Sequence, residues 1–190
     1  MGNIRLARPA DAAEIRAIYA PIVRDTAISF EYEVPSVAEI ERRLARVLAG
    51  RPWLVHVEAG RVLGYAYASP FRERAAYDWS VEVSIYVDSS VQRSGIGRRL
   101  YATLFDVLRA LGYHQVIAGA TMPNPASERL HRSLGFAQVA HFPAIGYKFG
   151  CWHDTVFWAL PLRPTAGEAP AIININQLVK TAEWEWLTRD

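Results

Sequence analysis

The stretch from residue 81 to residue 121 constrains the fold more than any other part of the chain. VEVSIYVD alternates apolar and polar residues as a strand does, and SSVQRSGIG follows with two glycines one residue apart. RRLYATLFDVLRALG then repeats Leu100, Leu104, Leu108 and Leu111 at helical spacing, which predicts a helix over 95–111 closed by Gly112. HQVIAGAT is strand-like again. A strand, a glycine loop, a helix and a strand in that order belong to an α/β domain.

The flanking segments fit that class. NIRLARPAD reads as a strand, with Asp11 as the cap of a helix that carries Ile15, Ile18, Tyr19 and Ile22 and is expected to end near Pro21. DTAISFEYEVPS is a connector. Ser36 and Glu39 form a capping-box pattern ahead of Ile40, Leu44, Val47 and Leu48. PWLVHVEAGRVLGYAYASP reads as a hairpin turning at Ala59, Gly60 and Arg61, and FRERAAYDW as a polar, aromatic loop. NPASERLHRSL is a short helix with Pro125 in its first turn and Gly135 at its end, and two strands at about 136–147 and 152–160 complete the domain. The sum is a mixed sheet, mostly antiparallel, flanked by helices.

With 190 residues the chain suits one domain, 1–163, and a tail, 164–190, that begins with the linker-like TAGEAP. In the tail Ile175, Leu178, Val179, Ala182 and Trp186 are spaced for a short helix. A net charge of +2 is too small to point to nucleic acid or a membrane surface. No stretch is apolar enough to span a bilayer and the N-terminus has no signal-peptide pattern, so a cytoplasmic protein is expected. The single cysteine, Cys151, excludes an internal disulfide and a cysteine zinc site and reads as a small core residue. His153 and Asp154 lack a third ligand or a matched serine; they read as structural hydrogen bonders, and no metal is expected.

Gly95-Ile96-Gly97 at a helix start clusters free backbone N–H groups at the positive end of a helix dipole, a seat for phosphate oxygens. Arg93, Arg98 and Arg99 surround it. A dinucleotide fingerprint would need a third glycine where Leu100 stands, and a P-loop would need Gly-Lys-Ser/Thr. Alone, the Gly-x-Gly reads equally well as the plain start of a helix. A second signal is the stripe Asn124, Ser127 and His131 at i, i+3 and i+7, opposite Leu130 and Leu134. It suits the remainder of a long cofactor, or a solvated face.

VSIYVDSSVQRSGIGRRLYATLF, with its Gln-Arg-x-Gly-x-Gly core, resembles the acetyl-CoA-binding segment of the GCN5-related N-acetyltransferases, and NPASERLHRSLGF resembles the segment that follows it there. PWLVHVEAGRVLGYAYASPFRERAAYDW, AYDWSVEVSIYV and GYKFGCWHDTVFW are similar to phosphinothricin and methionine sulfoximine N-acetyltransferases. The likeness runs from about residue 3 to about 163; the tail lies outside it.

The resemblance implies two splayed parallel central strands, at 82–87 and 114–120, with acetyl-CoA in the gap. The pantetheine arm would bond the backbone of Ile85, Tyr86 and Val87, and the pyrophosphate the backbone of Arg93, Ser94, Gly95, Ile96, Gly97 and Arg98. Asn124 and Ser127 would hold more of the cofactor. It implies Glu82 as the base that deprotonates an acceptor ammonium, and His131 as the partner of the leaving thiolate, a member of the base relay, or a packed helix histidine. A backbone N–H of the 82–87 strand would meet the oxyanion. Arg72 and Arg74 suit a carboxylate and a phosphinate or sulfoximine oxygen, with Tyr77, Lys148 and Phe30 completing the pocket. The expected partner is a small amino-acid-like acid rather than a polycationic amine. Two other readings stay open: a non-catalytic acyl-CoA sensor, and an N-acetyltransferase of protein or peptide amines. Relatives are commonly homodimers, and the aromatic last strands are candidates for that interface.

Overall fold

The computed structural model describes residues 2–91 and 93–188. Gln92, part of the glycine-loop motif, lies outside the described residues. Seven strands form one sheet: β1 (Asn3–Leu6), β2 (Trp53–Glu58), β3 (Arg61–Pro70), β4 (Ser80–Val87), β5 (Gln115–Thr121), β6 (Ala137–Lys148) and β7 (Cys151–Pro161). Their order is β1-β2-β3-β4-β5-β7-β6, and every neighbouring pair is antiparallel except β4 and β5. The mixed α/β sheet expected from the chain order is therefore present.

Helices cover both faces, and strand alternation assigns residues to each. On one face α1 (Ala12–Asp25) and α2 (Val37–Leu48) bury Ile15, Ile18, Ile40 and Leu44 against Trp53, Val55 and Tyr65. On the other, α3 (Ile96–Ala110) buries Leu100, Leu104, Val107 and Leu108 against Leu54, Ala66, Val81 and Val83. Each of those α3 side chains contributes about 1.5–3 kcal/mol relative to exposure. The short α4 (Pro125–Ser133) lies on this second face, with Leu130 and Leu134 packed against the same core.

Local details depart from the expected ones for identifiable reasons. Asp11 does not cap α1 with its side chain; its carboxylate turns back to grip the Arg5 guanidinium at 2.7 and 2.8 Å and the Arg8 amide at 2.7 Å. A bidentate charged pair is stronger than one capping bond to a neutral amide. Helix α1 continues through Pro21 to Asp25, its outer turn held by packing rather than ended by the ring. Only half of the capping box forms: Ser36 accepts from the Glu39 amide, while the Glu39 carboxylate is taken by Arg42 and Arg43. Cys151 is exposed beside the turn between β6 and β7, not in the core.

Lys148 makes the largest departure. Its side chain is 2 % exposed, and its ammonium donates to the carbonyls of Val23 at 2.7 Å, Thr26 at 2.9 Å and Ser29 at 2.7 Å. Burial pushes its pKa down, and the charge of Glu31 opposes that shift. All three ammonium hydrogens are spent on the backbone, so Lys148 ties the end of α1 and its following loop to β6 instead of offering charge to an anion.

The tail folds into α5 (Ile175–Leu178) and α6 (Ala182–Leu187) rather than one helix. Ile175 and Leu178 enter the second core, Asn174 and Asn176 donate to the carbonyls of Ala49 and Leu48 at the end of α2, and Ile173 N–H bonds Leu111 O. Gly112 makes this docking possible, with φ of +93° and a position where a Cβ would meet Ala171 O at 2.5 Å.

Two outcomes follow for stability. Lys148→Met should lower the unfolding free energy in urea by about 2–4 kcal/mol, because three buried carbonyls lose their donor; an unchanged midpoint would return Lys148 to the role of a pocket wall. Gly112→Ala should cost about 1–3 kcal/mol from the positive φ and release the tail, read as faster proteolysis beyond residue 163.

Candidate active site

Between β4 and β5 the sheet comes apart. Hydrogen-bonded register holds for Ser80, Val81 and Glu82 against Gln115, Val116 and Ile117, and then stops. Beyond it β4 keeps its pairing to β3 as far as Val87, and β5 keeps its pairing to β7 as far as Thr121. The β5-facing backbone of residues 83–87, Ile85, Tyr86 and Val87 among them, is left without a strand partner. Unpaired N–H and C=O groups at a strand edge are a template for an extended, amide-bearing ligand.

A groove of about 540 Å³ occupies the gap. The start of α3 lies at one end, where Gly95 has φ of +87° and the first intrahelical bond is Arg99 N–H to Gly95 O. The amides of Gly95, Ile96, Gly97 and Arg98 precede that bond and have no intrahelical acceptor. Arg93, Ser94, Gly95, Ile96, Gly97 and Arg98 all line the groove, as do Asn124, Ser127 and His131. The cofactor residues named from sequence are thus gathered in one cleft. Arg98 is exposed and donates to Ser133, and Asn124 caps α4 by accepting from the Ser127 amide at 3.1 Å. A nest of free amides at one end and an unpaired strand edge along the side fit a diphosphate followed by a pantetheine amide chain.

His131 is 2 % exposed, stacked on Trp158 with ring centroids 5.1 Å apart. Its Nδ1 lies 2.8 Å from the Ser127 carbonyl, which only accepts, so Nδ1 carries the hydrogen and Nε2 is an acceptor. Nε2 faces the Tyr101 hydroxyl at 3.5 Å. Burial lowers the His131 pKa, with the Ser127 carbonyl opposing, so the ring is neutral near pH 7. Tyr101 lines the groove as well; burial first, then the nearby charges of Tyr67 and Glu82, push its pKa upward. Sequence reasoning missed Tyr101, which stands between Leu100 and Leu104 in an apolar helix. The available signal was the hydroxyl one helical turn into α3, facing the same gap as the polar stripe of α4.

Glu82 is the last β4 residue paired to β5 and sits where the gap opens. Burial raises its pKa, and Arg72 is the charge that opposes the rise. Of the acceptor-side residues, Arg72 is therefore within electrostatic reach of Glu82. It lies over the Phe71 ring at 4.6 Å, and Phe71 meets Tyr77 edge-on at 5.9 Å. Arg72, Arg74 and Tyr77 are exposed on the 71–79 loop. Phe30 sits on the far side against β6, so close to Gly146 that a Cβ there would overlap its ring. Lys148 faces inward and joins neither group. His153 bonds the Lys148 carbonyl and Asp154 holds His141 and the Ala144 amide, as structural residues do. Among the described residues no cluster of ligand-type side chains could hold a metal.

The acetyltransferase (GNAT) domain model matches residues 4–157. A phosphinothricin N-acetyltransferase of Streptomyces viridochromogenes is 39% identical over 156 residues, 82% of this chain and 85% of that protein. An L-methionine sulfoximine/L-methionine sulfone acetyltransferase of Salmonella typhimurium is 40% identical over 164 residues, 84% of this chain and 94% of that one. The crystal structure of a GNAT superfamily phosphinothricin acetyltransferase from Sinorhizobium meliloti, in complex with acetyl-CoA, superposes with a TM-score of 0.83 at 38% identity, covering 90% of this chain and 97% of that chain. A glycine cradle, a parted strand pair and this degree of likeness agree: the chain belongs to the GNAT family of acetyl-CoA-dependent N-acetyltransferases.

Proposed function

We propose that the protein transfers the acetyl group of acetyl-CoA to the amine of a small amino-acid-like acid, with phosphinothricin and methionine sulfoximine as the leading acceptors, by direct attack in a ternary complex. The observation that carries this reading is the half-buried Glu82 at the mouth of the strand gap, its pKa raised by burial. The amine must shed a proton before it can attack, and a carboxylate with a raised pKa is the better base near neutrality. Glu82 takes that proton and yields it to solvent, the C–N bond forms as the thioester C–S bond breaks, and the second proton that the nitrogen sheds on becoming an amide ends on the departing thiolate. A free amide of the 83–87 edge meets the carbonyl oxygen as it gains charge.

His131 acts through Tyr101. At 3.5 Å the bond between them is long, so the hydroxyl hydrogen is free to turn into the groove toward the departing sulfur. Neutral His131, fixed by Ser127 and Trp158, accepts that hydrogen in the resting enzyme and gives it up when the thiolate forms. Arg72 and Arg74 offer guanidinium groups to the acceptor's acid functions, with Tyr77 and Phe30 bounding the space. Acetyl-CoA is a cytoplasmic metabolite, and the reaction is assigned there; among the described residues no helix is long and apolar enough to cross a membrane.

The protein is further proposed to be a homodimer. Phe142, Ile145, Tyr147, Phe149 and Trp152 are exposed on the hairpin of β6 and β7, and β6 is the sheet edge. Exposed apolar side chains of this size at a sheet edge suit burial against a second copy.

Glu82→Gln should lower kcat/KM at pH 7 by about 10²–10⁴-fold with unchanged acetyl-CoA affinity. In the native enzyme kcat/KM should rise with pH through a value above the usual glutamate range, since the base form is the active one and the folded pKa is raised. That acid limb should vanish in the variant. Full activity of Glu82→Gln at pH 7 on those acceptors would remove Glu82 as the base. Light scattering should give the mass of two chains, and Trp152→Glu should shift it to one; a single-chain mass for the native protein would exclude the dimer.

A further inference from the structure

Two isoleucines line the groove from α1 and the connector that follows it: Ile22, in the last turn of the helix, and Ile28. Neither is part of the two hydrophobic cores, and Ile28 is 43 % exposed. Apolar side chains placed in this way are the usual walls of a ligand site. Thr26 fixes the pair relative to each other. Its hydroxyl donates to Ile22 O at 2.6 Å and accepts from the Ile28 N–H at 3.2 Å. Around it the Lys148 ammonium binds the carbonyls of Val23, Thr26 and Ser29. The Tyr19 hydroxyl donates to Glu31 at 2.8 Å and meets Ser29 Oγ at 2.7 Å. Residues 22–29 are thus a bracket cross-braced to α1 and β6, and the two isoleucines cannot swing aside with a loose loop.

Their place along the groove follows from the course of α1. Near its start the Glu14 carboxylate accepts from the Val62 amide at 2.7 Å, beyond the level where Gly64 pairs with Val87. Further on, Tyr19 meets the Tyr86 ring edge-on with centroids 5.0 Å apart. The helix therefore runs from the free end of β4 toward Glu82. Ile22 is three residues past Tyr19, about 4.5 Å along the axis, which brings it level with Ser84 or Ile85. Strand alternation separates the two sides of the gap. Ile85 and Val87 face α3, where a Cβ at Gly97 would stand 3.6 and 3.7 Å from them, and Tyr86 packs on the α1 side with Ser84 and Glu82. A thioester carrier seated by the amides of α3 must pass through the sheet to bring its acyl group to an amine beside Glu82. On emerging it meets Ile22 and Ile28.

We propose that Ile22 and Ile28 are the wall that limits the acyl chain of the donor, admitting acetyl and turning away longer straight-chain acyl-CoA thioesters, with Thr26 as the residue that positions the wall. This rests on the acetyl-transfer reading for the place of the thioester and adds selection among donors. A β-branched side chain has one strongly preferred rotamer in a helix, so Ile22 does not fold out of the way. The Thr26 and Lys148 bonds hold the backbone on either side of both isoleucines. Added methylenes then have to displace atoms that are already fixed, which packed apolar sites resist.

Calorimetry with acetyl-CoA and butyryl-CoA, in the absence of any acceptor, reads the wall directly. The native protein should bind butyryl-CoA at least about tenfold more weakly than acetyl-CoA. Ile28→Ala and Ile22→Ala should each bring the ratio of the two dissociation constants at least about fivefold closer to one. The ratio separates a widened groove from a general loss of fold, which would weaken both thioesters alike, and Ile28 is exposed enough to be truncated without emptying a core. Thr26→Val, which keeps the shape and removes the hydroxyl, should move the ratio in the same direction, and Thr26→Ser should restore it. Butyryl transfer to phosphinothricin, relative to acetyl transfer, should rise in the same order of variants. Equal native affinities for the two thioesters, or a ratio unmoved in both isoleucine variants, would overturn the wall even if acetyl transfer proceeds. A ratio that follows the variants while no amine is acetylated would keep the wall and remove the acetyl-transfer reading instead.

Discussion

Everything functional in this molecule depends on a pairing that stops after three residues. β4 and β5 hold register only at 80–82 and 115–117, and each then follows its other neighbour. The antiparallel ladders to β3 and β7 are long and continuous, so the strands can part without either one unravelling. Phe157 of β7 contributes from below: its ring presses against Gly119, where a Cβ would stand 2.9 Å away. A side chain at 119 would have to displace that ring or enter the gap. The glycine keeps β5 flat against β7 and the groove clear.

Parting the strands would be costly if nothing met the exposed backbone, since buried unpaired amides are among the least tolerated features of a protein. An extended thioester carrier satisfies the same groups that a further strand would. The start of α3 is fixed by the same event. The chain leaves the free end of β4, turns at Asp88, and enters the helix through Gly95, so the free amides at 95–98 line the same groove as the edge just exposed. Diphosphate seat and amide-binding edge are thus two consequences of one break in the sheet, which explains why a short stretch of sequence encodes both.

That economy decided what was legible beforehand. The periodicity of β4, α3 and β5, the glycines between them and the polar stripe of α4 are local patterns, and residues 85–87, 93–98, 124, 127 and 131 do line one groove. What escaped depended on partners remote in sequence. Nothing near Lys148 indicates that three carbonyls from 23–29 surround its ammonium. Asp11 looked like a cap until Arg5 supplied a better partner across the first turn. Tyr101 is hidden by its apolar neighbours, and Cys151 by the assumption that a lone thiol is buried. Family likeness helped with Glu82 and His131, but only the packed structure showed that the His131 acceptor nitrogen looks at Tyr101 rather than straight into the groove.

Asp11 and Glu82 show how one fold gives a buried and a half-buried carboxylate opposite characters. Burial raises the pKa of both. At Asp11 the Arg5 bonds, the Arg8 amide and the nearby arginine charges outweigh it, and the net shift is downward. Its contribution to stability is present above its unfolded pKa and is lost as pH falls through the lower, folded one. At Glu82 only the more distant charge of Arg72 opposes burial, and the net shift is upward. There the folded state prefers the proton, so Glu82 weakens the fold as pH rises through its folded value toward neutrality, the reverse of Asp11. Sequence composition cannot distinguish these residues, because the difference lies in whether a guanidinium is 2.7 Å away or merely in range. The same mild destabilisation that marks Glu82 as a poor structural residue is what leaves its carboxylate unpaired, desolvated and available to an incoming ammonium.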